Sequence, residues 1–210
     1  MFGNAAQSGI TGMIKIRRMA MKVLESKHIY LSTYEDKYLS DFYEWENNLN
    51  ELNKWNSDHK KIYSCAKFKN KIENLNDNNE YDNYFFIIDK KGEQLVGYVG
   101  YAFIDLENGN FFAGTYIKPG YRKSPINTEA WLIFLDYMFQ YFPVKKVVSS
   151  VLDFNKNSLD NITSAGFKIE GIRKRHAFVQ GEYHDEYLIA MFKDEFYNLF
   201  DKFKKYISLD

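Results

Sequence analysis

From Gly114 to Ala130 the chain reads GTYIKPGYRKSPINTEA. A short run of β-branched and aromatic residues ends at Pro119-Gly120, a polar loop follows, and an amphipathic helix begins after Pro125. A strand–loop–helix of this kind gathers backbone N–H groups at a helix N-terminus, where they attract phosphate oxygens. Further on, NKNSLDNITSAGFKIEG from Asn155 supplies a second helix start, a glycine stop at Gly166 and a new strand.

The spacing upstream is mixed. HIYLS from His28 reads as a strand. Thr33 is placed to cap a helix through about Asn48, with Glu35 and Asp36 in its acid-favouring first turn, and Leu39, Phe42 and Trp45 at helical spacing. Residues 49–57 read as irregular or briefly helical. A helix from Asp58 to about Leu75 places Ile62, Cys65, Ala66, Phe68 and Ile72 near one face. The period then changes to that of strands: 84–89, 95–104 and 111–117. The turns between them are Lys90-Lys91-Gly92-Glu93, with Gly92 able to take positive φ, and Asn108-Gly109.

The helix after Pro125 carries Ala130, Trp131, Phe134, Leu135, Met138 and Phe142 on apolar positions and ends at Pro143. A buried-type strand spans 146–152. Asn155 opens a short helix that Gly166 closes. A hairpin, 167–179 with 182–192, turns at Gln180-Gly181, and Asp194 to Ile207 forms a last helix. The order predicts an α+β fold: a mixed, mostly antiparallel sheet of six to seven strands flanked by helices. A parallel strand–helix–strand crossover lies at its centre.

Composition narrows the classes. The 210 residues suggest one domain at 21–210, with 1–20 as an N-terminal extension or remnant outside the fold and Met21 as an alternative start. Lys+Arg and Asp+Glu balance at 28 each, so no dense cationic face for a general nucleic-acid binder is expected. A single cysteine, Cys65, on a predicted apolar helix face, reads as core and as the thiol of a reducing cytoplasm. No apolar run approaches the roughly 18 residues of a membrane span. His28, His59, His176 and His184 show no metal-ligand spacing.

With these segments in this order the chain resembles the GNAT acyltransferases over roughly residues 21–195, closest to the branch of the ribosomal-protein N-terminal acetyltransferases. The carriers are YRKSPINTEA from Tyr121, N-K-N-S from Asn155, Gly166-Phe167 and G-E-Y-H-D from Gly181. The resemblance implies acetyl-CoA, or another acyl-CoA, as co-substrate and a small-molecule or peptide amine as acceptor. Neither nucleic acid, membrane nor metal is implied, and the protein would be a cytoplasmic monomer or homodimer.

It also implies roles. Backbone groups of Thr115, Tyr116 and Ile117, on a strand splayed from 146–152, would meet the pantetheine arm. Arg122, Lys123, Ser124, Ile126, Asn127 and Thr128 would hold the pyrophosphate, Asn155 would meet pantetheine, and Ser158 would assist the departing thiolate. The family's loop is Arg/Gln-x-x-Gly-x-Gly/Ala, and Pro125 and Asn127 replace its two glycines here. Proline has no N–H to donate. Ile162 stands where many members carry a tyrosine. No acid lies on Phe111-Phe112-Ala113, so Asp105, Glu107, His184 and Asp185 are the candidate bases.

Each feature has a plainer reading. The loop is a well-started helix, Asn155 a cap, Ser158 an exposed first-turn residue, and Trp45, Trp55, Tyr34, Tyr38 and Tyr43 packing rather than an acceptor pocket. Arg173, Lys174 and Arg175 read as a solvated edge. The alternative to an acyltransferase is a GNAT-like binding or scaffold module without coenzyme chemistry. A donor with a larger acyl chain is a further alternative.

Overall fold

A computed structural model describes residues 22–55, 62–78 and 83–207. Among these residues eight strands form one sheet in the order β1-β2-β3-β4-β5-β6-β8-β7. They are β1 (Lys22–Glu25), β2 (Ile29–Ser32), β3 (Asn83–Asp89), β4 (Gln94–Asp105), β5 (Asn110–Ile117), β6 (Lys146–Leu152), β7 (Lys168–Val179) and β8 (Glu182–Phe192). Only β5–β6 is parallel; the other neighbours pair antiparallel. The helices are α1 (Leu39–Asn47), α2 (Leu49–Trp55), α3 (Cys65–Asn78), α4 (Ile126–Tyr141), α5 (Lys156–Ser164) and α6 (Lys193–Ile207). The fold class is the expected one, and the eighth strand is β1, too short and weakly patterned to stand out in the sequence.

Alternation along the central strands explains the two layers, because successive side chains leave opposite faces of a sheet. Ile29, Leu31, Phe85, Ile87 and Val99 point to one face, where α4 and α6 add Phe134, Met138, Phe139, Phe196 and Phe200. Tyr30, Phe86, Ile88, Tyr98 and Tyr116 point to the other, where α1 and α3 add Phe42, Trp45, Phe68 and Ile72. β3 is buried on both faces at its centre, so its run of apolar residues is continuous rather than alternating.

Several local expectations are corrected. α1 begins at Leu39, after a 3-10 turn at Asp36–Tyr38 whose N-cap is Glu35; Thr33 caps nothing. Residues 49–55 are helical as α2. The predicted start of the next helix at Asp58 lies outside the described residues, and Cys65 is its exposed first residue rather than core. Ile62 is also exposed. In the β3–β4 turn the positive φ falls on Glu93, at 50°, and not on Gly92. Gly109, Gln180-Gly181 and Gly166 do adopt positive φ at the expected turns and helix end. The 173–175 cluster lies on β7, at the edge of the sheet, where Arg173 pairs with Glu186 and Lys174 with Asp185.

Candidate active site

The β5–β6 ladder holds at Asn110↔Lys146, Phe111↔Val147 and Phe112↔Val148 and then stops. β5 stays paired with β4 as far as Ile117↔Gly97, and β6 with β8 as far as Leu152↔Glu186. The two parallel strands therefore part beyond Phe112. A cleft of about 1060 Å³ occupies the opening. Its wall includes Gly114 and Thr115 of β5, Ser149 and Ser150 of β6, Asn155 and Ser158 at the start of α5, and Arg122 to Ser124 with Asn127 and Thr128 before and within α4. On the face of α1 and α3 it includes Glu46, Lys71, Tyr84 and Tyr98.

The start of α4 keeps free donors. Pro125 stands at the N-cap, one residue ahead of the first turn, and provides no side-chain cap. The amides of Ile126, Asn127 and Thr128 fall in the first turn of the helix, where no intrahelical carbonyl reaches them. They form an anion-attracting end that Pro125 shortens by one donor. Ile126 is itself core, leaving its backbone alone for contact. Thr115 Oγ1 donates to Asn127 Oδ1 at 3.1 Å and accepts from Trp131 Nε1 at 3.1 Å, which fixes this helix start against the open strand.

Other predicted residues are placed as follows. Tyr116 is buried, stacked on Tyr98 with centroids 5.6 Å apart and tilted on Trp45 at 5.0 Å. The Ile117 carbonyl accepts from Arg122 Nε at 2.9 Å. Arg122 also bonds the Glu51 carboxylate of α2 and lies over the Tyr116 ring. Burial, with the Glu51 charge adding to it, pushes the Tyr116 hydroxyl up to about 12. The Ser124 hydroxyl donates to the Tyr121 carbonyl at 2.6 Å. Asn155 is the N-cap of α5 by position but makes no side-chain cap there; its carbonyl accepts from the amides of Ser158 and Leu159. Ile162 lines the cleft.

None of the four candidate bases lines the cleft. Asp105 accepts from the amide and side chain of Asn108 in a turn, contacts that hold its carboxyl below the usual range. Glu107 is exposed beside it. His184 Nδ1 pairs with Asp153 at 2.9 Å. Asp185 pairs with Lys174 Nζ at 2.8 Å and accepts from the Arg175 amide. Tyr34, Tyr38 and Tyr43 belong to the packing cluster around Phe86 and Phe68, as does Trp45; Trp55's side chain lies outside the described residues.

The acid that does reach the cleft is Glu46, which sequence reasoning missed. It receives a hydrogen bond from the Tyr98 hydroxyl at 2.7 Å. Burial raises its carboxyl, against the opposing pull of that bond and of the Lys71 charge. Burial also holds the Tyr98 hydroxyl neutral, well above its ordinary value. The available signal was positional: Glu46 follows Phe42 by four residues, on the apolar stripe of α1.

The family model described as Acetyltransferase (GNAT) domain matches residues 28–168. The chain belongs to that family. The curated relatives are 26–28% identical at best over about half of this chain, and they include the prophage-derived uncharacterized N-acetyltransferase YokL of Bacillus subtilis, 28% identical over 56% of this chain and 66% of its own. The ribosomal protein uS5-alanine N-acetyltransferase of Escherichia coli is 23% identical over 51% of this chain and 56% of its own. The matches span less than two thirds of the length of these relatives. The fold is that of the spermidine N-acetyltransferase from Vibrio cholerae, solved with CoA and spermine, with a TM-score of 0.74 at 19% identity over 81% of this chain and 99% of that one. Among the described residues no helix is long and apolar enough to cross a membrane.

Proposed function

We propose that the chain transfers an acetyl group from acetyl-CoA to a primary amine by direct attack within a ternary complex. The observation that carries this reading is the parting of β5 from β6 beside an uncapped helix start. An extended strand edge and a cluster of free amides suit an amide-bearing arm that ends in a diphosphate. The co-substrate supplies an activated acyl group.

The chain's own residues do the rest. The edge of β5 at Thr115, Tyr116 and Ile117 aligns the pantetheine arm. The amides of Ile126, Asn127 and Thr128, with Lys123, Ser124 and Arg122, anchor the diphosphate despite the proline. Asn155 binds the arm near its end, and Ser158 hydrogen-bonds sulfur as negative charge develops on it. Holding amine and thioester in line contributes much of the rate. Residues 21–210 act as one unit, and a homodimer or a monomer fits the reading.

One contact favours the alternative of a binding module: Arg122 is already engaged by Glu51 and the Ile117 carbonyl. Thiol release from acetyl-CoA, measured across a panel of primary amines, decides between the two. Amine-dependent release supports the enzyme. Absence of release together with no thermal stabilisation by saturating acetyl-CoA supports the module, because a ligand of the native state raises stability.

A further inference from the structure

Glu46 is the sole carboxylate among the described residues lining the cleft. Its placement follows from packing. Trp45, the preceding residue, lies on Tyr116 at 5.0 Å. Tyr116 is the register partner of Tyr98 across the β4–β5 ladder, and Tyr98 donates to Glu46 at 2.7 Å. The carboxylate thus stands on the α1 face, one strand away from the open edge of β5. The free amides of α4 serve the same cleft from the opposite face. Among the described residues no cation stands within ion-pair distance of Glu46. The Lys71 charge acts on Glu46 without a direct ion pair; a partly buried carboxylate lacking such a pair is costly to the fold, and a substrate ammonium supplies it. Tyr84 lines the same stretch and is half-buried, an aromatic neighbour that attracts cations.

We propose that Glu46 is the catalytic base of the acetyl transfer, receiving the acceptor's ammonium beside Tyr84 and Tyr98 and taking one proton from it. The assignment rests on the acetyltransferase reading above. The carboxylate accepts a proton from R–NH3+, leaving R–NH2 and a neutral Glu46. The nitrogen lone pair then attacks the thioester carbon; the C–N bond forms, and the C–S bond breaks with its electron pair going to sulfur. The second nitrogen proton passes to the departing sulfur, giving the free thiol. Glu46 releases its own proton to water along the cleft. Ammonium and acetyl-CoA become amide, coenzyme A and one proton.

The charged and titratable groups on the Glu46 side of the cleft are Lys71 of α3, Tyr84 of β3 and Tyr98 of β4. Lys71 also bears on the acceptor, since its charge repels a second ammonium. The site therefore takes a monoamine in preference to a polyamine.

The test compares wild type with E46Q, which keeps the volume and still accepts from Tyr98. The probes are propylamine, trifluoroethylamine and spermidine with saturating acetyl-CoA. Propylamine is charged at neutral pH and needs a base; trifluoroethylamine is largely uncharged and does not. E46Q is expected to lower kcat on propylamine by about 100-fold and to abolish the acidic limb of its pH profile. The rate on trifluoroethylamine and the thermal shift with acetyl-CoA stay near wild type, and E46D recovers part of the propylamine rate. Wild type prefers propylamine to spermidine. Equal losses on both monoamines, or no loss, overturn the role of Glu46. So does a wild type that binds acetyl-CoA and acetylates none of the three, while the coenzyme site stands. A wild type that acetyl-CoA does not stabilise refutes the acetyltransferase reading itself.

Discussion

Thr115 ties the open edge of β5 to the first turn of α4: its hydroxyl donates to Asn127 and accepts from Trp131, each at 3.1 Å. The strand proposed to meet the pantetheine arm and the helix proposed to meet the diphosphate are thereby held in one frame. Thr115→Val keeps the shape and removes both bonds, leaving the indole N–H unpaired. A loss of about 1–3 kcal/mol is expected, with a several-fold weaker Kd for acetyl-CoA. Thermal unfolding and calorimetric titration of the variant check both.

Gly166 closes α5 at φ +100°, and a Cβ there meets Leu199 Cδ1 at 2.4 Å. Gly166→Ala adds backbone strain to a clash with α6. Destabilisation of about 1–3 kcal/mol is expected, read as a lower urea midpoint with an unchanged m-value.

Glu129, buried on α4, accepts from Ser26 Oγ at 2.6 Å and from the His28 amide at 3.1 Å, and it pairs with His28 Nδ1 at 2.5 Å. These contacts dock the β1–β2 turn on the helix. Glu129→Ala leaves several polar groups without partners and is expected to lower stability by about 3 kcal/mol. Glu129→Gln keeps the volume and loses less. Denaturant titration of both variants against wild type gives the order.

Burial pushes the hydroxyls of Tyr34, Tyr116 and Tyr197 up to about 12, against about 10 in an unfolded chain. A group with a raised folded value contributes stability that is complete below its unfolded value and is lost as pH rises through the folded one. Stability is therefore expected to fall between about pH 10 and 12, read as a lower urea midpoint. An unchanged midpoint over that range would contradict this.

The strand–loop–helix at Gly114–Ala130 and the stop at Gly166 were legible because glycine, proline and apolar spacing report local geometry directly. The parting of β5 from β6 has no local signature: it depends on how far two distant segments stay in register, and only the resemblance pointed to it. Glu46 escaped for a related reason. Its role depends on Tyr98 and Lys71, which are remote in sequence and meet only when α1 and α3 cross the sheet. Cys65 misled because apolar spacing was extended through it, although its helix starts there and leaves that position in water.

Gly114 gives the most direct test of the central claim. It lines the cleft, and a Cβ built on it meets nothing within 4 Å, so Gly114→Leu has room for its first side-chain atom and extends into the cleft beside the strand edge assigned to the pantetheine arm. In calorimetric titration with acetyl-CoA, wild type is expected to bind one equivalent and the folded variant to give no binding heat. Silence from wild type, or equal binding by the two proteins, would contradict the account.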